Sequence, residues 1–110
     1  MNKMTDRKDA LTELLDKVKA GKWHNDGTTW LFGNDWPNVH GAFYGSLDAA
    51  RALHDAVLPG WGWSVSDCMA KVSCDYRIQS GHDDHNPARA WLIAILNALI
   101  ADENINVKEE

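Results

Sequence analysis

Apolar residues recur at helical spacing in three stretches of this chain and at strand spacing in two. Leu11, Leu14, Leu15 and Val18 fall at i, i+3, i+4 and i+7, with Asp9, Glu13, Asp16 and Lys17 mostly off that stripe. Residues 5–20 are therefore predicted to form an amphipathic helix, with Thr5 as N-cap and Gly21 as its stop. A second helix is predicted over 47–58, with Ala50, Leu53, Val57 and Leu58 on one face. Ser46 is its N-cap, and Pro59-Gly60 ends it because proline cannot continue the hydrogen-bond ladder. A third runs from 87 to about 101, opened by Asn86 as N-cap with Pro87 at the first helical position. Trp91, Leu92, Ile95, Leu96 and Leu99 give it a broad stripe, which Ile93 and Ile100 extend around the helix. A helix apolar on nearly every side is buried deeply or sits at a subunit interface. Trp91 is the side chain expected on its exposed face.

Two strands are predicted within 61–79. Trp61-Gly62-Trp63-Ser64-Val65 alternates large and small side chains, and Ser66-Asp67 forms a turn. Ala70, Val72, Cys74, Tyr76 and Ile78 then alternate with Lys71, Ser73, Asp75, Arg77 and Gln79. This period of two predicts one strand over 70–79, with one buried and one wet face. Residues 22–45 are less regular. Thr28 to Phe32 has strand-like composition, Pro37 is expected to break the chain, and Val39 to Tyr44 is read as extended. Residues 80–86 form a polar loop, and 103–110 a frayed polar tail. The order helix, strand, helix, strand, strand, helix predicts an α+β fold in one domain over 1–110. Its expected form is a layered α/β/α sandwich, a small, mainly antiparallel sheet flanked by three helices.

Two segments carry a family resemblance. One is Tyr44-Gly45-Ser46-Leu47-Asp48-Ala49-Ala50-Arg51-Ala52-Leu53, followed by Leu58-Pro59-Gly60-Trp61-Gly62-Trp63-Ser64-Val65. The other runs from Asn86-Pro87-Ala88-Arg89-Ala90-Trp91 to Leu99. In order and spacing they resemble the phage ABA sandwich domain family of small phage and prophage proteins, over roughly residues 43–101 and more loosely over the first helix. Residues 23–42 and the number of tryptophans depart from that pattern. The resemblance implies the layered α/β/α arrangement and a phage origin. It implies no activity: Ser46, Asp48, Pro59 and Pro87 match as caps and stops.

Composition narrows the function classes. The chain has 110 residues, 45% apolar and 25% charged, which suits one folded domain rather than a disordered chain. Eleven Lys and Arg against sixteen Asp and Glu give a net charge of −5, which argues against general nucleic-acid binding. The apolar stretch Ala90–Ala101 contains Asn97 and is too short to span a bilayer. No apolar run follows Met1, so a cytoplasmic location is expected. Cys68 and Cys74 match neither a zinc knuckle nor a redox C-x-x-C pair. The densest ligand-type cluster is His82-Asp83-Asp84-His85. A metal there would need further donors, such as His24, His40 or His54. Its plain reading is a solvated loop whose carboxylates favour the N-terminus of the third helix, and no metal or cofactor is assigned. No G-x-S-x-G elbow and no phosphate loop occur, so no catalytic residue is assigned and the chain is read as a non-enzyme.

Six tryptophans against two Phe and two Tyr are the compositional oddity. Trp61 and Trp63, at i and i+2, share one side of a strand. They form either a wall of the core or a stacking platform for nucleobases. Arg51, Arg77 and Arg89, with Lys71, are the candidate phosphate partners. Trp36 and Trp91 are candidate interface residues, and Trp23 and Trp30 accompany Trp36 in the irregular segment. With the phage resemblance, these residues point to a counter-defence protein in the cytoplasm of the infected bacterial host, one that sequesters a nucleotide-type immune signal. The alternatives are an acidic inhibitor that blocks a host defence protein, and a structural or assembly component. Homo-oligomerisation is compatible with each.

Overall fold

The computed structural model describes residues 3–22, 31–75 and 77–108, and side chains between positions 8 and 102. The elements are α1 (Lys3–Lys19), α2 (Trp36–Phe43), α3 (Leu47–Val57), β1 (Gly62–Val65), β2 (Met69–Cys74), β3 (Arg77–His82) and α4 (Pro87–Lys108), with a 3₁₀ turn at Gly33–Asp35. The three strands form one antiparallel meander in the order β1-β2-β3. This is an α+β sandwich, built among the described residues with four α-helices rather than three.

Helix α4 is the element on which the others pack. It touches β2 and β3 as well as α1, α2 and α3. Residues 90–96 of α4 are buried without interruption, as an all-round apolar helix requires. The stripe Leu11, Leu14, Leu15 and Val18 of α1 is buried in the same core. Helix α1 closes on a left-handed Gly21 (φ 74°), with Lys22 N–H donating to Lys17 O, the bond pattern that satisfies a helix C-terminus. Ser46 caps α3 by accepting from Ala49 N at 3.1 Å, and Asn86 caps α4 by accepting from Arg89 N at 3.0 Å.

Several sequence expectations are corrected. Thr5 lies inside α1 rather than at its cap. Residues 39–43 are helical, not extended, because Pro37 sits in the first turn of α2, where its fixed φ suits a helix and its missing N–H is not needed. Leu31 and Phe32 are buried and lead into the 3₁₀ turn instead of a strand, while 28–30 lie outside the described residues. Helix α4 continues past Ala101 to Lys108, through most of the expected tail. The polar loop loses Ser80, Gly81 and His82 to β3.

The single strand over 70–79 is instead two strands, β2 and β3, with Asp75 following β2 and Tyr76 lying outside the described residues. Asp75 takes the left-handed conformation there (φ 56°), which Asp tolerates better than most residues. A two-residue turn exchanges the parity of the pattern. Cys74 pairs with Arg77, Val72 with Gln79 and Ala70 with Gly81, so the helix-facing side of β3 carries Arg77, Gln79 and Gly81. Ile78, expected inside, faces out and is 62% exposed. Gly81 has to face inward because the sheet approaches α4 most closely there: a Cβ on it would meet Ala90 O and Ala94 N of the α4 backbone.

Candidate functional site

Trp61, Trp63, Arg51 and Arg77 gather on one side of the sheet where β1 meets α3 and α4. After α3, Pro59-Gly60 reverses the chain, with Gly60 left-handed (φ 84°) and Trp61 N–H donating to Leu58 O at 3.1 Å. The turn lays the backbone of Trp61 against His54. Two residues on, Trp63 pairs with Val72, on the buried side of β2. Its indole stacks on Trp91 of α4, ring centroids 4.6 Å apart and planes 33° apart. Trp63 remains 43% exposed. The Arg51 guanidinium lies 5.4 Å from the Trp63 ring centroid, and that of Arg77 lies 5.1 Å from the Trp61 ring. Guanidinium over an indole face is a favourable arrangement of charge and ring quadrupole.

Behind this surface a buried histidine ties the elements together. His54 is 1% exposed. Trp91 Nε1–H donates to His54 Nδ1 at 3.3 Å, and His54 Nε2 lies 2.9 Å from Trp61 O. An indole nitrogen can only donate, so Nδ1 accepts and the ring proton sits on Nε2, which donates to the carbonyl. Both ring nitrogens are satisfied, and α3, α4 and the approach to β1 are joined through one side chain. The sequence carried a signal for this role: positions 50, 53, 54 and 57 follow helical spacing, so His54 sits on the apolar stripe of α3. Trp91, expected on an exposed face, is 2% exposed, because α4 is enclosed along this stretch. Trp36 opens α2 and is half-buried against Phe32, ring centroids 6.2 Å apart. Trp23 and Trp30 lie outside the described residues.

The two arginines of the surface differ in how they are held. Arg51 faces Asp55 one helical turn away at 3.8 Å, and both side chains are more than 60% exposed. Such a pair contributes little to stability and moves easily. Arg77 donates to Asp102 Oδ1 of α4 at 2.8 Å, a short charge-assisted bond.

Arg89 belongs elsewhere. Two positions along α4 from Trp91 are about 200° apart around the helix, and Arg89 points to the end of α2. Its Nε donates to Phe43 O at 3.0 Å, its guanidinium covers the Phe43 ring at 4.2 Å, and Nη1 lies 3.6 Å from Asp83 Oδ2. Asn86 Nδ2 donates to the same Phe43 carbonyl at 3.2 Å. Arg89 thus satisfies a helix C-terminus and clamps the 83–86 loop. No local motif announces a partner more than forty positions away. Replacing Arg89 with Met is expected to lower stability by about 2–3 kcal/mol, read as a lower urea midpoint.

His82 and His85 border a polar cleft of about 350 Å³ with Lys19, Asp83, Asp84 and Arg89. The carboxylates there are engaged: Asp83 accepts from His85 N–H at 3.1 Å and Asp84 lies 3.3 Å from His82 Nε2. Among the described residues no three His, Cys, Asp or Glu side chains converge on a metal position. His40 stacks near Tyr44 at 4.8 Å, His54 is enclosed in the core, and His24 lies outside the described residues. Cys68 and Cys74 are both half-buried free thiols. Among the described residues no helix is long and apolar enough to cross a membrane.

Comparison with protein-family models, with curated proteins and with solved structures gives no significant match.

Proposed function

We propose that this chain is a non-enzymatic binding protein that sequesters a nucleotide-type ligand on the surface formed by Trp63, Arg51 and Trp61. The observation that carries this reading is the Trp63 indole, 43% exposed and backed by the buried Trp91 ring, with the guanidinium of Arg51 resting on it. A rigid exposed indole is a stacking face for a base. The guanidinium on it is a loosely tethered cation, and a base that takes its place leaves Arg51 beside the ligand's phosphate. Arg77 and Trp61 extend the same surface, and Arg89 acts as a structural clamp. The resemblance to phage ABA sandwich proteins supports a counter-defence role in the cytoplasm of the infected bacterial host, with a signalling nucleotide as the ligand. The net charge of −5 supports a small anion held at a local cationic site over a long nucleic acid.

Titration with adenosine 5′-monophosphate, followed by tryptophan fluorescence and by melting temperature, tests this directly. Quenching and an upward melting shift that grows with ligand concentration are expected. Trp63→Ala is expected to abolish both, and Arg51→Met to weaken binding about tenfold, the loss of one charge-assisted contact. Absence of quenching and of any shift with AMP, GMP, CMP and UMP at millimolar concentration overturns the reading.

A second reading, an acidic blocker of a host defence protein, is favoured by the outer sheet face, where Ile78 is 62% and Met69 41% exposed. Ile78→Ser with Met69→Ser would then disrupt partner capture and leave nucleotide binding intact.

A further inference from the structure

We propose that Trp61, Arg77 and Asp102 form a second base-binding position beside Trp63, so that the ligand is two nucleotides joined through phosphate. This rests on the reading of Trp63 as a stacking platform.

Two ring-and-guanidinium pairs occupy this surface. Trp63 carries Arg51, and Trp61 carries Arg77. Both pairs lie on the helix-facing side of the sheet. Trp63 stacks on Trp91, while Arg77, over Trp61, bonds Asp102 of the same helix. The i, i+2 spacing places the two tryptophan Cα atoms roughly 6.6 Å apart. Trp91 and Asp102 are eleven positions apart, about 16 Å along α4. The surface therefore runs along three turns of helix and offers two separate places for a flat ring.

The electrostatics assign different tasks to the two ends. Among the described residues Arg51 rests on the Trp63 ring and meets its carboxylate neighbour Asp55 at a long 3.8 Å, so its guanidinium can turn toward a phosphate. Arg77 is neutralised by Asp102 and supplies a planar face. Asp102 is 39% exposed, and one of its oxygens holds Arg77. A carboxylate accepts several hydrogen bonds, and the remaining capacity suits the exocyclic amino group of a base stacked at Trp61. The second position therefore favours adenine, guanine or cytosine over uracil, which has no such donor. The phosphate link sits toward Arg51, away from Asp102.

Isothermal titration of the whole protein with AMP, the linear dinucleotides pApA and pUpU, and cyclic di-AMP tests the proposal. At least one adenine dinucleotide is expected to bind about tenfold tighter than AMP, the gain from one further stacked base. Whether pApA or cyclic di-AMP gains more tells an open link from a closed one. The linear pair pUpU is expected to bind less tightly than pApA. Trp61→Leu keeps the main-chain carbonyl that receives His54 and is expected to remove the dinucleotide gain, weakening the dinucleotide about tenfold and AMP much less. Arg77→Met, a change at a partly exposed side chain, serves the same purpose if Trp61→Leu does not fold. Dinucleotides that bind no tighter than AMP overturn the second position and leave the proposed function standing. Equal weakening of AMP and dinucleotide by these variants also overturns it. Failure of AMP and every dinucleotide to bind overturns both.

Discussion

Replacing Gly81 with Ala is expected to destabilise the protein by about 3 kcal/mol, the upper end of the usual cost of overpacking. Gly81 pairs with Ala70 across β2 and β3, two small residues at the point where the sheet meets α4. A Cβ at Gly81 would press on Ala90 O, come within 2.6 Å of Ala94 N and lie 2.9 Å from Ile93 Cβ. The first two are backbone atoms of a buried helix and cannot rotate aside as the end of a side chain can. The sheet must lift from α4 or the helix must shift, and either opens packing along both elements. Gly60→Ala is the control. Gly60 has φ 84° and nothing within 4 Å of an added Cβ, so its cost is conformational, about 1–2 kcal/mol. Urea unfolding of both variants separates steric from backbone strain. A Gly81→Ala midpoint equal to that of the parent would mean that the sheet does not approach α4 as closely as this.

Trp91→Ala is expected to cost about 4 kcal/mol, since truncating a buried tryptophan removes its burial and leaves a cavity. Part of the loss is polar. Without the indole N–H, His54 Nδ1 becomes a buried acceptor with no donor. Trp91→Phe isolates that part: it keeps most of the volume and is expected to cost about 1–2 kcal/mol. Combining Trp91→Phe with His54→Leu should cost less than the two single changes added together, because the second change removes the orphaned acceptor that the first creates. Strict additivity in a denaturation cycle would refute the hydrogen-bonded link. Trp91→Ala also withdraws the ring behind Trp63, so any nucleotide response retained by a folded Trp91→Ala protein should be weakened.

Much of the helical architecture was legible because its causes are local. Ser46 and Asn86 cap α3 and α4 as their side chains dictate, Gly21 ends α1, and the stripe of Leu11, Leu14, Leu15 and Val18 is buried. Elsewhere two local rules compete. Pro37 reads as a break, yet in the first turn of a helix it is a start, and only the buried Val39, Ala42 and Phe43 behind it decide for α2. The alternation through 70–79 reads as one strand, but apolar period alone does not reveal a two-residue turn that reverses parity. The requirement for a side-chain-free position against α4, met by Gly81, selects the observed register.

The candidate site was legible as a list of residue types. The pairing of aromatic and cationic chemistry singles out Trp61, Trp63, Arg51 and Arg77, and the fold brings these four to one surface. Arg89 carries the same chemistry, yet its long-range bond to the Phe43 carbonyl sends it to another part of the molecule.

By itself the sequence determined the α+β class, the caps of α3 and α4 and the apolar stripes of the helices, all consequences of spacing and of interactions within a turn or two of chain. Only the tertiary structure decided that Trp91 is buried, that His54 bridges three elements, and which arginines face the tryptophans. Those outcomes depend on contacts between residues far apart in the chain, where burial and hydrogen-bond satisfaction are settled jointly by every element that packs on α4.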